Sequence, residues 1–235
     1  MEQGKDIAAY FDGESSAWSE RYSESPHFRE RRDTALSWIA AHGGPLELLD
    51  YGCGSGVLLK ALAPKGHRLC GVDVSPGMLD AARKNLAGLT VTLETVEGVV
   101  HASRQFDGVT CLGVIEYVPD AEALLHRLGD RVRGGGFLIL SFPNRGSLLR
   151  KLEAAIFRLR GPLGRLGLFK SLTGPESYLH LQRHQFTLGE VAAILRAQGF
   201  SPVRKHLHVA PGSMRCLAGS PLVGMTIIAE FTRGR

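Results

Sequence analysis

The residues best suited to binding chemistry form a short glycine-rich turn. Asp50 precedes the turn, and Gly52, Gly54 and Gly56 stand at alternate positions within it. An apolar run before the turn predicts a strand, and residues 57–63 after it predict a helix. Glycine lets the backbone approach a ligand closely, and the amides and dipole of the helix would face that ligand.

An acid after the next predicted strand supports a bound ligand over a merely tight turn. Asp73 ends the strand at residues 68–74, where a carboxylate can accept both ribose hydroxyls of a nucleoside. The alternative is a charge favoured by the following helix N-terminus. The spacing Gly-x-Gly-x-Gly is not that of nicotinamide enzymes, and no Gly-Lys-Ser/Thr follows to make an ATP phosphate loop.

Residues 48–78 resemble the class I methyltransferases that use S-adenosylmethionine (SAM), and the resemblance covers residues 26–200. It implies that Asp50 and the three glycines hold the methionine part of SAM. It also implies that Asp73 binds the ribose and that Val74 and Met78 pack on the adenine.

The resemblance implies further contacts with the cofactor. For the acid near the third strand, Glu97 is preferred over Glu94, and Tyr22 is included in the predicted cofactor-binding set. Three segments are closer to the ubiquinone-biosynthesis O-methyltransferases: residues 94–97, 106–112 and 115–120. In that family, Leu112 matches a cofactor contact. An arginine of the first helix reaches the methionine carboxylate; Arg29 and Arg32 are the alternatives, and Arg32 is preferred from its distance to the glycine turn.

That family can carry a metal site of the form Glu-x-x-Glu-His. The matching positions here are Gly113, Glu116 and Tyr117, and one ligand of three cannot hold a divalent ion. We therefore predict no metal, and an acceptor other than the same catechol-like ring.

Histidines beyond the fifth predicted strand are the candidates for a general base. His180 and His184 precede the last helix, where such folds place the substrate, and a histidine titrates near neutral pH. The alternative for both is a capping or packing role. The other histidines have no supporting context in the sequence.

Strands and helices alternate along the chain, which predicts an α/β fold with a doubly wound, mostly parallel, seven-stranded sheet and an inserted helical lid. We expect four parts: a helical cap at residues 1–44, a SAM-binding core at 45–143, a helical lid at 144–186, and the rest of the core at 187–235.

Charge is concentrated in one segment of the chain. Residues 145–170 contain seven basic residues against one acid, which leaves the rest of this chain of net charge +5 near −1. This distribution argues against a nucleic-acid partner. The segment also has an apolar helical stripe, so it predicts either a lid alone or a lid that also touches an anionic membrane surface. No apolar run reaches the roughly 18 residues of a membrane span, and we expect a cytoplasmic protein.

Together these features predict a SAM-dependent methyltransferase that acts on a hydroxyl of a small hydrophobic metabolite. The alternatives are N- or C-methylation in a biosynthetic pathway, or a SAM-binding module without catalysis.

Overall fold

A seven-stranded sheet forms the centre of the structure, which is a computed structural model. The structure describes residues 7–15, 18, 25–96, 98, 104–152, 181–208, 220 and 222–235. The strands in chain order are β1 (Glu47–Tyr51), β2 (Arg68–Asp73), β3 (Val91–Thr95), β4 (Phe106–Leu112), β5 (Val132–Pro143), β6 (Phe200–His208) and β7 (Thr226–Arg233).

The order of the strands in the sheet is β3-β2-β1-β4-β5-β7-β6. The first five strands of the chain pair in parallel, and β7 runs antiparallel to both β5 and β6. This arrangement confirms the predicted doubly wound, mostly parallel sheet. The central strands are apolar and buried along nearly their whole length, as expected for a parallel sheet that helices cover on both faces.

Helices flank the sheet on both sides. They are α1 (which includes residues 7–15), α2 (Pro26–Ala40), α3 (Val57–Leu62), α4 (Pro76–Asn85), α5 (Ala121–Asp130) and α6 (Leu188–Arg196). One apolar cluster joins the sheet to α2, α3 and α4 through residues such as Ile39, Leu59 and Leu79. A second cluster joins the other face to α5 and α6 through Leu124 and Leu195.

The strand order places a crevice at the carboxyl ends of β1 and β4. β1 pairs with β2 on one side and with β4 on the other, so the connections leave β1 and β4 in opposite directions. Ligands of open α/β sheets bind at this kind of switch point. The side chains that follow β1, β2 and β4 are therefore the ones that the fold brings together.

The first described helix lies next to this crevice. The Asp12 carboxylate of α1 accepts hydrogen bonds from the Ser75 hydroxyl (2.5 Å) and the Gly77 amide (2.8 Å) at the start of α4. Ser75 is the N-cap of α4, since its Oγ accepts the Met78 amide at 3.0 Å. The carboxyl end of β2 is thus covered by the N-terminal part of the chain.

The boundary between α5 and β5 differs from the sequence prediction. The helix was predicted to continue to Arg133, but it ends at Asp130, and β5 begins at Val132. The Phe106 amide donates to the Arg131 carbonyl at 2.7 Å and Val132 pairs with Phe106, so sheet pairing begins before the glycines at 134–136. These glycines lie in a register irregularity of the strand rather than in a helix stop.

Most of the predicted lid helix lies outside the described residues. Residues 148–152 are helical, and Leu148 and Leu152 expose 56% and 57% of their surface. Within the described ranges, the structure has no helix that is both long and apolar enough to cross a membrane.

We predict that Gly108→Ala destabilises the sheet. A Cβ atom at Gly108 would lie 2.2 Å from Cζ of Phe137, and that ring is itself stacked on His42 at 3.8 Å between centroids. Overpacking of this kind costs about 1–3 kcal/mol. Urea unfolding measures the loss, with Gly189→Ala as the matched control, since its nearest neighbour would be 4.0 Å away. Equal unfolding midpoints for the two variants would show that the Phe137 ring moves aside.

Candidate functional site

The glycine turn after β1 has the backbone that its sequence predicts. Gly52, Gly54 and Gly56 have φ angles of 76°, 52° and 78°, in the left-handed region that favours glycine. A Cβ at Gly52 would lie 2.3 Å from Val114 Cγ2, so a side chain is also excluded there by packing. Gly56 is the N-cap of α3 and supplies no side-chain cap.

A buried hydroxyl in this turn has no hydrogen-bond partner among the described residues. It belongs to Ser55, which is 1% exposed. A buried polar group left unsatisfied costs about 1–3 kcal/mol, so a polar ligand at the turn would remove a real penalty. The glycine backbone and this hydroxyl together form a cradle that fits a polar ligand.

Asp73 lies at the end of β2 and faces the same turn. Its Oδ2 accepts the Gly54 amide at 2.8 Å, and its Oδ1 accepts the Ser75 amide at 2.9 Å. Burial raises the pKa of Asp73, and these amide bonds oppose that rise. Because Ser75 caps α4, the alternative role of Asp73 as a helix-end charge is weakened. Each carboxylate oxygen can accept a further bond, which suits ligand hydroxyls.

Asp50 is a second buried acid, at the end of β1. It is 5% exposed, and Thr110 of β4 donates a hydrogen bond to its Oδ1 at 2.7 Å. Burial raises the pKa of Asp50 to about 6, and the nearby Asp73 carboxylate adds to the rise. Two acids in one desolvated crevice repel each other unless a positive group is present.

Arg31, and not the predicted Arg32, is the arginine of α2 that faces this crevice. Arg31 is 6% exposed, and a Cβ at Gly113 would lie 2.4 Å from its Nη1, so its guanidinium is packed against the end of β4. Burial raises the pKa of both Asp50 and Glu116, and the charge of Arg31 partly opposes that rise. Arg32 is half-buried, and its Nε donates a hydrogen bond to the exposed Asp33 at 2.9 Å. The choice of Arg32 from the sequence rested on distance along the chain and took no account of the phase of the helix.

The remaining predicted contact residues have different surroundings. Val74 is 50% exposed beside Asp73, whereas Met78 and Leu112 are 1% and 8% exposed. Their roles as cofactor contacts stay predictions. Tyr22, Glu97 and His180 lie outside the described residues.

An aromatic group covers the crevice from the N-terminal side. Phe11 lies 5.4 Å from Trp18 and 5.7 Å from Tyr117, and Trp18 lies 5.7 Å from Phe28, all measured between ring centroids. A Cβ at Gly54 would lie 3.2 Å from Trp18 Nε1, so this group reaches the glycine turn. The surface next to the crevice is therefore strongly apolar.

A second set of buried polar atoms lies beyond Arg31. His27 Nδ1, Glu116 Oε2 and Ser141 Oγ are buried and make no hydrogen bond with any described residue. Burial raises the pKa of Glu116 to about 7 and lowers the pKa of His27 well below its ordinary value. Neither His27 nor Glu116 was assigned a function from the sequence, because what surrounds them comes from distant parts of the chain.

One ring nitrogen of His184 is hydrogen-bonded to backbone carbonyls between β4 and α5. Its Nε2 lies 2.9 Å from the Val118 carbonyl and 3.2 Å from the Pro119 carbonyl. Since carbonyls only accept, Nε2 carries the proton. Its backbone amide also donates to the Glu116 carbonyl at 3.2 Å. Only Nδ1 is left to act as a base, so the prediction for His184 narrows to that atom.

Among the described residues, no group of three or more histidine, cysteine or acidic side chains is arranged to hold a metal ion. At the position of the first ligand in the Glu-x-x-Glu-His pattern, Gly113 leaves room that the Arg31 guanidinium fills. A carboxylate side chain there would clash with this arginine in its present position.

Comparisons with known proteins agree with this geometry. A family model described as a methyltransferase domain matches residues 20–205. A ubiquinone biosynthesis O-methyltransferase of Erwinia tasmaniensis is 33% identical over 147 residues, which are 59% of this chain and 60% of that protein. The chain thus spans about three fifths of the length of that relative.

Solved structures show the same fold. Magnesium protoporphyrin IX methyltransferase from Synechocystis, crystallised with S-adenosylhomocysteine (SAH), matches with a TM-score of 0.72 at 22% identity, over 99% of this chain and 100% of that one. An N-methyltransferase from Bradyrhizobium japonicum in complex with SAH matches with a TM-score of 0.61 at 18% identity, over 92% and 91% of the two chains.

We predict that Asp50→Asn stabilises the ligand-free protein. The pKa of Asp50 is about 6 when folded and 3.8 ordinarily, so ionisation of Asp50 opposes folding. The protonated Asp50 carboxyl carries no such penalty, so its favourable contribution to the free energy of unfolding is fully present below pH 3.8. That contribution is lost as the pH rises through the folded pKa of about 6. Asparagine removes this loss, and we expect a gain of about 1–3 kcal/mol at neutral pH that shrinks as the pH falls.

Urea unfolding across this pH range measures the effect. Asp80→Asn is the control, because Asp80 is 67% exposed and should change stability by less than about 0.5 kcal/mol. A destabilised Asp50→Asn protein at neutral pH would contradict the assignment of a strained, buried carboxylate.

Proposed function

We propose that this chain transfers a methyl group from SAM to a hydroxyl of a small hydrophobic molecule. The chain belongs to the methyltransferase domain family, whose model matches residues 20–205. The observation that carries this proposal is the meeting of Asp50, Asp73 and Arg31 at the carboxyl ends of β1, β2 and β4. When bound, SAM supplies a methyl group that is already activated by the positive charge on its sulfur.

The three charged groups match the polar parts of SAM. Arg31 binds the methionine carboxylate, since a guanidinium pairs well with a carboxylate. Asp50 faces the methionine ammonium, and the cation removes the penalty of its buried negative charge. Asp73 accepts the ribose hydroxyls with the capacity that its two amide bonds leave free. Val74, Met78 and Leu112 then contact the remainder of the nucleoside.

Two observations support a hydrophobic acceptor that carries a hydroxyl. Phe11, Trp18, Phe28 and Tyr117 form an apolar wall beside the crevice. The relative from Erwinia tasmaniensis is named as an O-methyltransferase of ubiquinone biosynthesis. An N-linked acceptor is the second candidate, because one solved structure of the same fold is named as an N-methyltransferase.

Contact with a membrane surface is a further part of this proposal. Leu148 and Leu152 lie one helical turn apart and are more than half exposed, next to the exposed Lys151. An apolar stripe with basic neighbours suits an anionic lipid surface. Cytoplasmic location and the small-molecule partner stay predictions of the same kind.

The SAM site predicts opposite outcomes for two neighbouring arginines. Arg31→Met removes a charged hydrogen-bonding partner of the carboxylate and should weaken SAM binding by about 1.5–3 kcal/mol. Arg32→Met is the matched control and should leave the affinity unchanged, because Arg32 pairs with Asp33. Calorimetry with SAM measures both. If only the Arg32 variant lost affinity for SAM, Arg32 and not Arg31 would be the residue that binds the methionine carboxylate.

The methyl acceptor can be identified from the methylated product. The protein is incubated with a lipid-soluble metabolite extract and SAM that carries a deuterated methyl group, in the presence of a chelator, and fragmentation mass spectrometry locates the label. We expect a label on oxygen, no label with Asp73→Ala, and turnover that survives chelation. A label on nitrogen would favour the second candidate. Activity lost to the chelator and restored by magnesium would overturn the metal-free prediction.

A further inference from the structure

We propose that His27 is the catalytic base, and that its Nδ1 atom takes the proton from the acceptor hydroxyl. This inference rests on the proposed function, since only a hydroxyl acceptor needs a base of this kind. It assigns a role to a residue whose sequence context gave no sign of one.

His27 stands in the first turn of α2 and faces the same crevice as the SAM site. It is four residues before Arg31, so the two side chains share one face of the helix. The Arg31 guanidinium lies against the end of β4, and the His27 ring lies 4.4 Å from the His208 ring at the end of β6. His27 therefore sits over the carboxyl edge of the sheet, next to the place assigned to the methionine part of SAM.

Unsatisfied polar atoms mark this place as a ligand site. His27 Nδ1 and Glu116 Oε2 are both buried, and neither atom has a hydrogen-bond partner among the described residues. The positive charges of Arg31 and Arg150 act on both His27 and Glu116, so the two groups share the same cationic neighbours. Ser141 Oγ, at the carboxyl end of β5, is a third such atom. Buried polar atoms of this kind are satisfied by a water molecule or by a polar ligand.

The surroundings of His27 keep its ring neutral. Burial lowers its pKa most. The charges of Arg31 on its own helix, His208 on β6 and Arg150 in the helical residues 148–152 lower it further. A neutral imidazole has one nitrogen that can accept a proton. The same cations disfavour a lasting positive charge on the ring, so the proton would be released after each turnover.

A chain of hydrogen-bonded side chains begins at His208, whose ring lies beside that of His27, and leads toward solvent. His208 Nδ1 lies 2.6 Å from Glu30 Oε2, and the other oxygen of Glu30 lies 2.5 Å from His206 Nε2. Hydrogen bonds from both histidines lower the pKa of Glu30 and outweigh the opposing effect of its burial, so it stays ionised. His206 is 39% exposed at the outer end.

The O–H bond of the acceptor breaks, and its proton forms an N–H bond with His27 Nδ1. The electron pair left on the acceptor oxygen forms the new bond to the methyl carbon. The pair of the broken carbon–sulfur bond stays on sulfur, which becomes a neutral thioether.

The first test compares phenol with 4-nitrophenol as acceptor probes, in mildly alkaline buffer where only the nitro compound is ionised. Loss of a base should slow transfer to phenol by about 10²–10⁴-fold, because general base catalysis contributes that much. Transfer to the ionised 4-nitrophenol should be nearly unchanged. The variant is His27→Gln, with His27→Asn as a second replacement in case the first does not fold.

Two further histidines make matched controls. His126 is 41% exposed on α5 and pairs with Glu122, so His126→Gln should behave as wild type with both probes. His184→Gln tests the rival base. SAM affinity, measured by calorimetry, should be unchanged in the His27 variants. Equal slowing with both probes would overturn the base role, and a phenol-selective loss in His184→Gln alone would transfer that role to His184.

The second test does not depend on turnover. Protein labelled with nitrogen-15 in histidine is loaded with SAH and titrated with phenol, and the Nδ1 signal of His27 is followed by NMR. We expect a shift to the position of a hydrogen-bonded nitrogen, absent with toluene as the probe. A His27 signal that phenol does not move would overturn the proposal. If wild type methylates neither probe, the hydroxyl acceptor itself is in question, and this titration still decides whether His27 faces the ligand.

Discussion

The candidate site is built around two carboxylates, Asp50 and Asp73, that the fold buries in the absence of a ligand. Asp50 and Asp73 end neighbouring strands, so the sheet fixes their separation, and both have raised pKa values because they are desolvated. Arg31 supplies a positive charge from α2, yet burial remains the largest effect on Asp50. A site of this kind opposes folding slightly when empty and is completed by a ligand that carries both a cation and hydroxyl groups.

The rest of the molecule holds this arrangement in place. The left-handed glycines let the backbone turn tightly below the ligand, and Val114 closes the space that a side chain would need at Gly52. Asp12 of α1 binds the first turn of α4, and the aromatic group lies over Gly54. The glycine turn and the aromatic group are thus adjoining surfaces.

The features read correctly from the sequence are those set by short segments. The alternation of strands and helices, the glycine turn and the position of Asp73 each depend on residues close together in the chain. Arg31 was not among the arginines considered from the sequence, because the face of α2 that meets the sheet is decided by packing with Ile39 and its neighbours. His27 was missed altogether, since its partner His208 lies on the last antiparallel pair of strands.

The linkage between cofactor binding and the proton on Asp50 tests the central claim most directly. The proposed site puts the SAM ammonium beside Asp50, whose carboxyl group is about half protonated at pH 6, so binding there should release a proton from Asp50. Calorimetry in buffers of different ionisation heat counts the protons released. We predict that wild type at pH 6 releases about half a proton more than Asp50→Asn, and that this difference vanishes near pH 8. Tight SAM binding with the same proton count in both proteins at pH 6 would contradict the account, because the buried carboxylate would then not be part of the cofactor site.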